Sequence, residues 1–136
     1  MSKTLILVSH GNFCHALKQS TEMIMGPQNN IVTLGLEPEE GAASFKERFL
    51  KLIAPLADGD FLVFADLLGG TPCNVVSQVL LTGRHFELYA GMNMPMVISY
   101  LNAELLGQKD DIQAFARENI QKVNALLVAL DDDDEA

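Results

Sequence analysis

The chain has 136 residues, 49% of them hydrophobic, which suits one domain with one buried core and is too short for two domains of ordinary size. Eighteen acidic residues oppose nine basic ones, and the net charge of -9 disfavours nucleic acid or anionic lipid as a partner. The low charged fraction, 20%, excludes an intrinsically disordered chain.

The first half of the chain predicts two strand–helix pairs. The apolar run from Leu5 to Val8 predicts a buried strand, and helical spacing from Asn12 predicts a helix that ends at Gly26. This run is too short for a signal peptide or a membrane span, so we expect a cytoplasmic protein. Residues 31–36 predict a second strand, and an apolar stripe predicts a second helix that contains Phe45, Phe49, Leu52, Ile53 and Leu56.

A third strand–helix pair follows a turn. Residues 61–65 are wholly apolar, predict a strand and end at Asp66. A glycine-containing turn comes next, in which we expect Thr71 to cap a third helix and Pro72 to begin it. Gly83 is expected to end this helix.

The last part of the chain predicts a fourth strand over 86–90 and a fourth helix from near Pro95. A last segment with helical spacing follows, and residues 125–130 either continue that helix or form a strand. An acidic tail, 131–136, follows a single domain that spans 1–130. The apolar residues of that last helical pattern are Ile112, Phe115, Ala116, Ile120 and Val123.

This alternation of strands and helices predicts an α/β fold. We expect a single doubly wound sheet, mainly parallel, in the order 2-1-3-4, with helices on both faces. Ligands of such sheets bind beyond the carboxyl ends of the strands, at the point where the strand order reverses.

Two residues that follow neighbouring strands are the main catalytic candidates. His10 follows strand one and Asp66 follows strand three, so the two side chains are expected to meet. A carboxylate bonded to one imidazole nitrogen leaves the other nitrogen as a nucleophile that can hold a phosphoryl group. The alternative is that His10 replaces a helix cap and Asp66 is an ordinary turn carboxylate. Gly11 beside the histidine, together with Gly69 and Gly70, which leave room for a close backbone approach, favours the functional interpretation.

The start of helix three is a weaker candidate for phosphate binding. The amides of Gly70 and Thr71 and the Thr71 hydroxyl could bind phosphate oxygens, although a capped helix after a glycine turn fits these residues equally well. No metal or cofactor is expected, because no ligand cluster has metal spacing and no Walker lysine follows the glycines. Neither cysteine is assigned any chemistry.

Two further groups of residues are expected to be structural. His15 falls inside helix one and His85 lies in a turn, so both are predicted at the surface. Met92, Met94 and Met96 suit a partner surface or the core, and core packing is favoured.

Four segments in the observed order carry a family resemblance: LILVSHGNF at 5–13, MIMG at 23–26, FLVFADLLGGTPCNVVS at 61–77 and YAGMNMPM at 89–96. Together they resemble the mannose-family enzyme IIA component of the bacterial phosphoenolpyruvate-dependent sugar phosphotransferase system. The resemblance covers nearly the whole chain.

This resemblance implies a cytoplasmic phosphoryl carrier for coupled sugar uptake and phosphorylation. The resemblance implies that His10 accepts a phosphoryl group on Nε2 from phosphorylated HPr and passes it to a separate IIB subunit. It also implies that the Asp66 carboxylate accepts a hydrogen bond from Nδ1–H of His10. Amides near Gly11, Gly70 and Thr71 would offset the phosphate charge. Contact with the membrane permease subunits IIC and IID would be indirect.

The resemblance also implies a homodimer. In family members a C-terminal strand adds to the sheet of the partner, and residues 125–130 are the segment that matches it.

Three rival functions remain. A phosphocarrier that serves a dihydroxyacetone kinase shares the histidine after strand one. A histidine phosphatase requires an arginine before that histidine, where this chain has Ser9, and a phosphate cradle of arginines. Of Arg48, Arg84 and Arg117, only Arg84 is expected near a strand's carboxyl end. The third rival is a flavodoxin-like binding module with no catalytic role. The resemblance also implies that a IIA component does not contact the transported sugar, so its sequence does not identify that sugar.

Overall fold

Strands and helices alternate in the predicted order as far as the fourth helix, after which two more helices follow. A computed structural model describes residues 3–109 and 111–135. The strands within these residues are β1 (Thr4–His10), β2 (Ile31–Leu36), β3 (Phe61–Ala65) and β4 (Glu87–Ala90). The helices are α1 (Phe13–Met25), α2 (Ala42–Ile53), α3 (Thr71–Leu81), α4 (Met94–Leu106), α5 (Ile112–Glu118) and α6 (Val123–Glu135).

The four strands form one parallel sheet in the order β2-β1-β3-β4, which confirms the predicted α/β architecture and strand order. In this sheet His10 pairs with Leu36 of β2, and Val8 pairs with Ala65 of β3. The carboxyl ends of β1 and β3 therefore lie side by side where the strand order reverses.

Alternate residues of β1 contribute to two cores, one on each face of the sheet. Leu5 and Leu7 pack with α1, α4 and α5, whereas Ile6 and Val8 pack with α2 and α3. Because β1 is buried on both faces, its sequence is a continuous apolar run rather than an alternating one. The favoured interpretation of the methionines is confirmed, since Met92 and Met96 are buried and Met94 packs against the α1 core.

Several predicted boundaries differ from the structure by one or two residues. His10 is the last residue of β1 rather than the residue after it, because the β1–β2 pairing continues to Leu36. The N-cap of α3 is Gly70, and Thr71 is already the first helical residue with no side-chain cap. The predicted cap at Thr71 is therefore wrong by one position.

The last helical pattern is divided in the structure. α5 begins after Asp111, whose side chain accepts a hydrogen bond from Ala114 N–H, and ends before Asn119. α6 begins anew at Val123 and continues to residue 135, so it crosses the expected domain boundary at residue 130. Residues 125–130 thus form neither a continuation of the preceding helix nor a strand in the single chain. Among the described residues, no helix combines the length and apolar character that a membrane span requires.

Candidate active site

The structure brings the two main candidates, His10 and Asp66, into direct contact. Asp66 Oδ2 lies 2.8 Å from His10 Nδ1 and also accepts a hydrogen bond of 2.9 Å from the backbone N–H of His10. An ionised carboxylate only accepts hydrogen bonds, so the proton of the neutral imidazole is on Nδ1 and the lone pair is on Nε2. Within the described residues Nε2 makes no hydrogen bond, and the His10 side chain is 48% exposed. The nucleophilic nitrogen is thus oriented and accessible.

The position of the carboxylate is fixed from both sides. The Asp66 N–H continues the sheet ladder by donating to the carbonyl of Val8 at 3.2 Å. Its second carboxylate oxygen, Oδ1, accepts from Leu67 N–H at 2.8 Å. With both oxygens bonded, the side chain is only 13% exposed and holds one orientation toward His10. Asp66 thus bonds nearby amides, as the alternative of an ordinary turn carboxylate predicts, but it also contacts the His10 ring, which that alternative does not predict.

Gly70 packs directly against the imidazole of His10. A Cβ built on Gly70 lies 2.6 Å from His10 Cε1 and 3.3 Å from Nε2, whereas real Cβ atoms require more than 3.0 Å. Its φ of -81° is accessible to any residue, so glycine is needed here for space rather than for backbone freedom. The sequence argument for a close approach at Gly70 is confirmed.

We expect Gly70→Ala to slow phosphoryl transfer to His10 by about tenfold or more, because the added methyl group displaces the ring from Asp66 and crowds Nε2. The measurement is the rate of phosphohistidine formation from a phosphorylated donor. Gly59→Ala is the matched control, since a Cβ at Gly59 has no atom within 4 Å. A Gly70→Ala variant as fast as this control would contradict the expected role of the contact.

Two of the three amides predicted to bind phosphate are already bonded. The N–H of Gly11 donates to the carbonyl of Leu36 at 2.8 Å, and the N–H of Gly70 donates to the carbonyl of Leu67 at 3.3 Å. In this structure both groups thus have backbone acceptors, and their expected contact with a phosphoryl group stays a prediction. Thr71 differs, because within the described residues its N–H, at the positive end of α3, has no acceptor.

Two residues that support the β1–α1 turn, Ser9 in β1 and Gly35 in β2, have roles that were not predicted. Ser9 is completely buried, and its hydroxyl contacts the backbone on both sides of the turn. Gly35, in β2, packs against the carbonyl of Gly11, since a Cβ built on Gly35 lies 2.2 Å from that oxygen. A glycine inside an apolar strand is the sequence signal that could have identified this close approach.

Neither of the other histidines bonds the His10–Asp66 pair. His15 is partly buried, and its Nδ1 lies 2.6 Å from the hydroxyl of Thr33, so this residue is less exposed than predicted. His85 is exposed, as predicted. Among the described residues, no three histidine, cysteine or carboxylate side chains come together as metal ligands would.

The arginines occupy different positions from those expected. Arg84 precedes β4 and forms an ion pair with Asp58, so it lies at the amino ends of the strands. Arg48 instead lies near the carboxyl end of β2, where it bonds the carbonyl of Gly35 and the carboxylate of Glu40. Both guanidinium groups have protein partners, and neither contacts the His10–Asp66 pair.

Glu40 ties the loop between β2 and α2 to the helix that follows. Its carboxylate accepts from Glu37 N–H, the Ser44 hydroxyl and Arg48. Although burial opposes the charge, these hydrogen bonds and the charge of Arg48 hold the pKa of Glu40 below its ordinary value. The loop beside His10 is therefore anchored at neutral pH.

Large apolar side chains in the segments next to the pair are exposed. Phe13 follows the turn after His10, and Leu67 and Leu68 follow Asp66; all three are at least 47% exposed. Monomeric proteins seldom expose such side chains together, and they are typical of a surface that another protein covers.

Comparison with known proteins identifies a consistent set of relatives. Residues 4–127 match the EIIA-man family, described as "PTS system fructose IIA component". The chain is 28% identical over 123 residues to the fructose-specific EIIA component of the phosphotransferase system of Bacillus subtilis, covering 87% of this chain and 84% of that protein. It is 32% identical over 94 residues to the sorbose-specific EIIA component of Lacticaseibacillus casei, covering 69% of this chain and 68% of that protein.

A solved structure agrees in fold as well as in sequence. The mannose/sorbose specific IIA subunit from Enterococcus faecalis superposes with a TM-score of 0.79 and 26% identity, over 90% of this chain and 95% of that one. The three relatives are named for different sugars.

Proposed function

We propose that this chain, which belongs to the EIIA-man family of IIA components of the sugar phosphotransferase system, carries its phosphoryl group on Nε2 of His10. The family consists of phosphotransferase proteins, and phosphoryl carriage is its general role. The observation that supports the assignment to His10 is the Asp66 carboxylate 2.8 Å from Nδ1, with Nε2 unbonded and accessible at the sheet edge.

The proposed reaction is an in-line transfer between two imidazoles. The Nε2 lone pair of His10 attacks the phosphorus of the donor phosphohistidine, the new N–P bond forms, and the donor N–P bond breaks with its electron pair returning to the donor ring. The proton on Nδ1 of His10 stays in place, so the phosphorylated ring becomes positively charged. Asp66 stabilises that charge. The proposal that the start of α3 offsets the added negative charge is supported by Gly70 packing against the ring and by the Thr71 N–H, which has no acceptor within the described residues.

We propose HPr as the donor and a separate IIB subunit as the acceptor, with only indirect contact to the permease subunits IIC and IID. The exposed Phe13, Leu67 and Leu68 support docking of a protein rather than a small molecule beside His10. Phosphoryl transfer from HPr to a IIB subunit is consistent with a cytoplasmic location of this protein. The chemistry of this site does not select a sugar.

The alternative acceptor, a dihydroxyacetone kinase, is not favoured, because the relatives are components of sugar phosphotransferase systems. The test is to phosphorylate the chain with phosphoenolpyruvate, enzyme I and HPr, remove the donors, and add either a IIB subunit of a mannose-family system or the ADP-bearing kinase subunit. Transfer to IIB alone is expected. Transfer to the kinase alone would replace the sugar-transport proposal with the alternative.

We also propose that the protein is a homodimer in which a second copy covers the β4 edge. β4 is the terminal strand of the described sheet, and a groove of about 360 Å³ lies along it, lined by Leu88 and Ala90 among other residues. Between Val123 and Leu130, the large apolar side chains of α6 are each exposed over about half of their surface or more. They could therefore be buried against a second copy.

Light scattering coupled to size exclusion is expected to give about twice the chain mass of 14.9 kDa. Leu127 and Leu130 are three residues apart on one face of α6, so replacing both with lysine is expected to give monomers. Met23→Lys is the control, because Met23 is an exposed apolar residue on α1. A monomeric wild-type protein would contradict the dimer.

A further inference from the structure

The turn that joins β1 to α1 is supported by a hydroxyl group in the core. Ser9 is completely buried on the face of β1 that packs against α1, where the other inward residues are apolar. Its Oγ accepts a hydrogen bond of 2.9 Å from Cys14 N–H and donates one of 3.3 Å to the carbonyl of Gly11. A buried hydroxyl is unfavourable unless it is hydrogen-bonded, and both bonds of Ser9 go to this one turn.

The opposite side of the turn is supported by the end of β2. The N–H of Gly11 donates to the carbonyl of Leu36, which fixes the peptide unit that directly follows His10. Gly35 packs so closely on the Gly11 carbonyl that no side chain fits between them. This carbonyl is therefore held between Gly35 and the Ser9 hydroxyl, and Gly11 itself adopts a φ of +53°.

We infer that Ser9 is a positioning residue for phosphoryl transfer, acting through the backbone that carries His10. The inference rests on the proposed function of His10. Leu36 accepts a hydrogen bond from the Gly11 N–H, and Ser9 donates one to the Gly11 carbonyl, so both peptide units that follow His10 are fixed. On the other side, the N–H of His10 itself donates to Asp66. Together these contacts set the direction of the His10 side chain, and Asp66 then sets the orientation of the ring. Ser9 itself does not touch the reacting atoms.

Ser9→Ala removes the acceptor of Cys14 N–H and frees the Gly11 carbonyl, so His10 loses part of its fixed geometry. We expect the rate of transfer from phosphorylated HPr at saturating donor to fall about tenfold, because small displacements of a reacting group have large effects on rate. The donor concentration for half-maximal rate should be unchanged, since the exposed docking residues are untouched. Ser9→Thr keeps the oxygen and is expected to restore most of the rate.

Nitrogen-15 NMR of the His10 ring supplies a readout that general destabilisation does not change. In the wild type the Nδ1–H signal should be slow to exchange with solvent, because the proton is held by Asp66. In folded Ser9→Ala the same signal should exchange faster and shift toward a mixture of tautomers. An unchanged signal together with an unchanged rate would overturn the inference.

Thr21→Val is the matched control, since Thr21 is a fully buried hydroxyl residue on α1 whose oxygen has no partner within the described residues. It should transfer at the wild-type rate. If Ser9→Ala does not fold, Ser9→Cys takes its place, because its thiol has a similar volume but hydrogen-bonds too weakly to hold the turn. A wild-type rate for Ser9→Cys would equally overturn the inference. A wild-type protein that is not phosphorylated would instead refute the proposed function.

Discussion

Replacement of His10 by alanine is expected to reduce phosphorylation by phosphorylated HPr to less than about one thousandth of the wild-type rate, because the variant has no nucleophile at the sheet edge. The fold should persist. The side chain is 48% exposed, and its removal loses one hydrogen bond, worth about 1 kcal/mol. Quenched-flow measurement of phosphoryl incorporation, with circular dichroism to verify folding, is the appropriate experiment.

The other two histidines provide the controls for this result. His85→Ala removes an exposed histidine at the amino end of β4, and His15→Ala removes one bonded to Thr33. Both variants should accept phosphate, although His15→Ala should be less stable. Equal loss of phosphorylation in His10→Ala and His15→Ala would show that the effect reports folding rather than chemistry.

Replacement of Asp66 by asparagine is expected to slow transfer by about a hundredfold or more. The carboxylate accepts from both Nδ1 and the backbone N–H of His10, and an amide oxygen cannot reproduce the charge in this position. An amide NH₂ directed at Nδ1 would favour the tautomer with the proton on Nε2, which has no lone pair for phosphorus. The loss of the carboxylate also removes the charge that stabilises the phosphorylated ring.

Asp58→Asn is the matched control for this variant. Asp58 is also a hydrogen-bonded carboxylate, but it pairs with Arg84 at the opposite end of the sheet. Hydrogen bonds from Arg84 and His85 lower the pKa of Asp58, so its contribution to stability is present at neutral pH and is lost as the pH falls. Transfer by Asp58→Asn should match the wild type. A wild-type rate for Asp66→Asn would exclude the proposed role of the carboxylate.

The strand order and the catalytic pair could be predicted because they depend on strong local patterns. The strand 61–65 is buried along its whole length and is a continuous apolar run, and it was predicted at its observed bounds. The edge strand 31–36 is only partly buried, and its bounds were also predicted correctly. His10 and Asp66 follow from position alone, since parallel strands end at the same edge of a sheet.

The details around the pair depend on contacts between distant segments and could not be predicted in this way. The Gly11 and Gly70 amides were expected to face phosphate, but the first bonds β2 and the second closes a turn onto Leu67. Hydrogen-bond partners of this kind are set by the approach of strands and loops, which periodicity does not describe. The hydroxyl of Ser9 was missed for the same reason.

The C-terminal helices show a different limit of sequence reasoning. Ile120 and Val123 continue the apolar period of α5, yet Ile120 lies in the connection after α5 and Val123 is the first residue of α6. No glycine or proline marks the interruption, and α5 ends at Asn119, whose N–H donates to the carbonyl of Phe115. Of the predicted apolar face only Ile112 and Ala116 are buried, so apolar spacing predicted neither the end of this helix nor the full extent of its buried face.

The most direct test of the central claim is the intact mass of the wild type and His10→Ala after incubation with phosphoenolpyruvate, enzyme I and HPr, before and after mild acid. We expect one acid-labile phosphoryl group on the wild type and none on the variant, since a phosphorylated imidazole hydrolyses in acid. A folded wild-type protein without added mass, or an acid-stable group that persists in His10→Ala, would contradict a phosphohistidine carrier at His10.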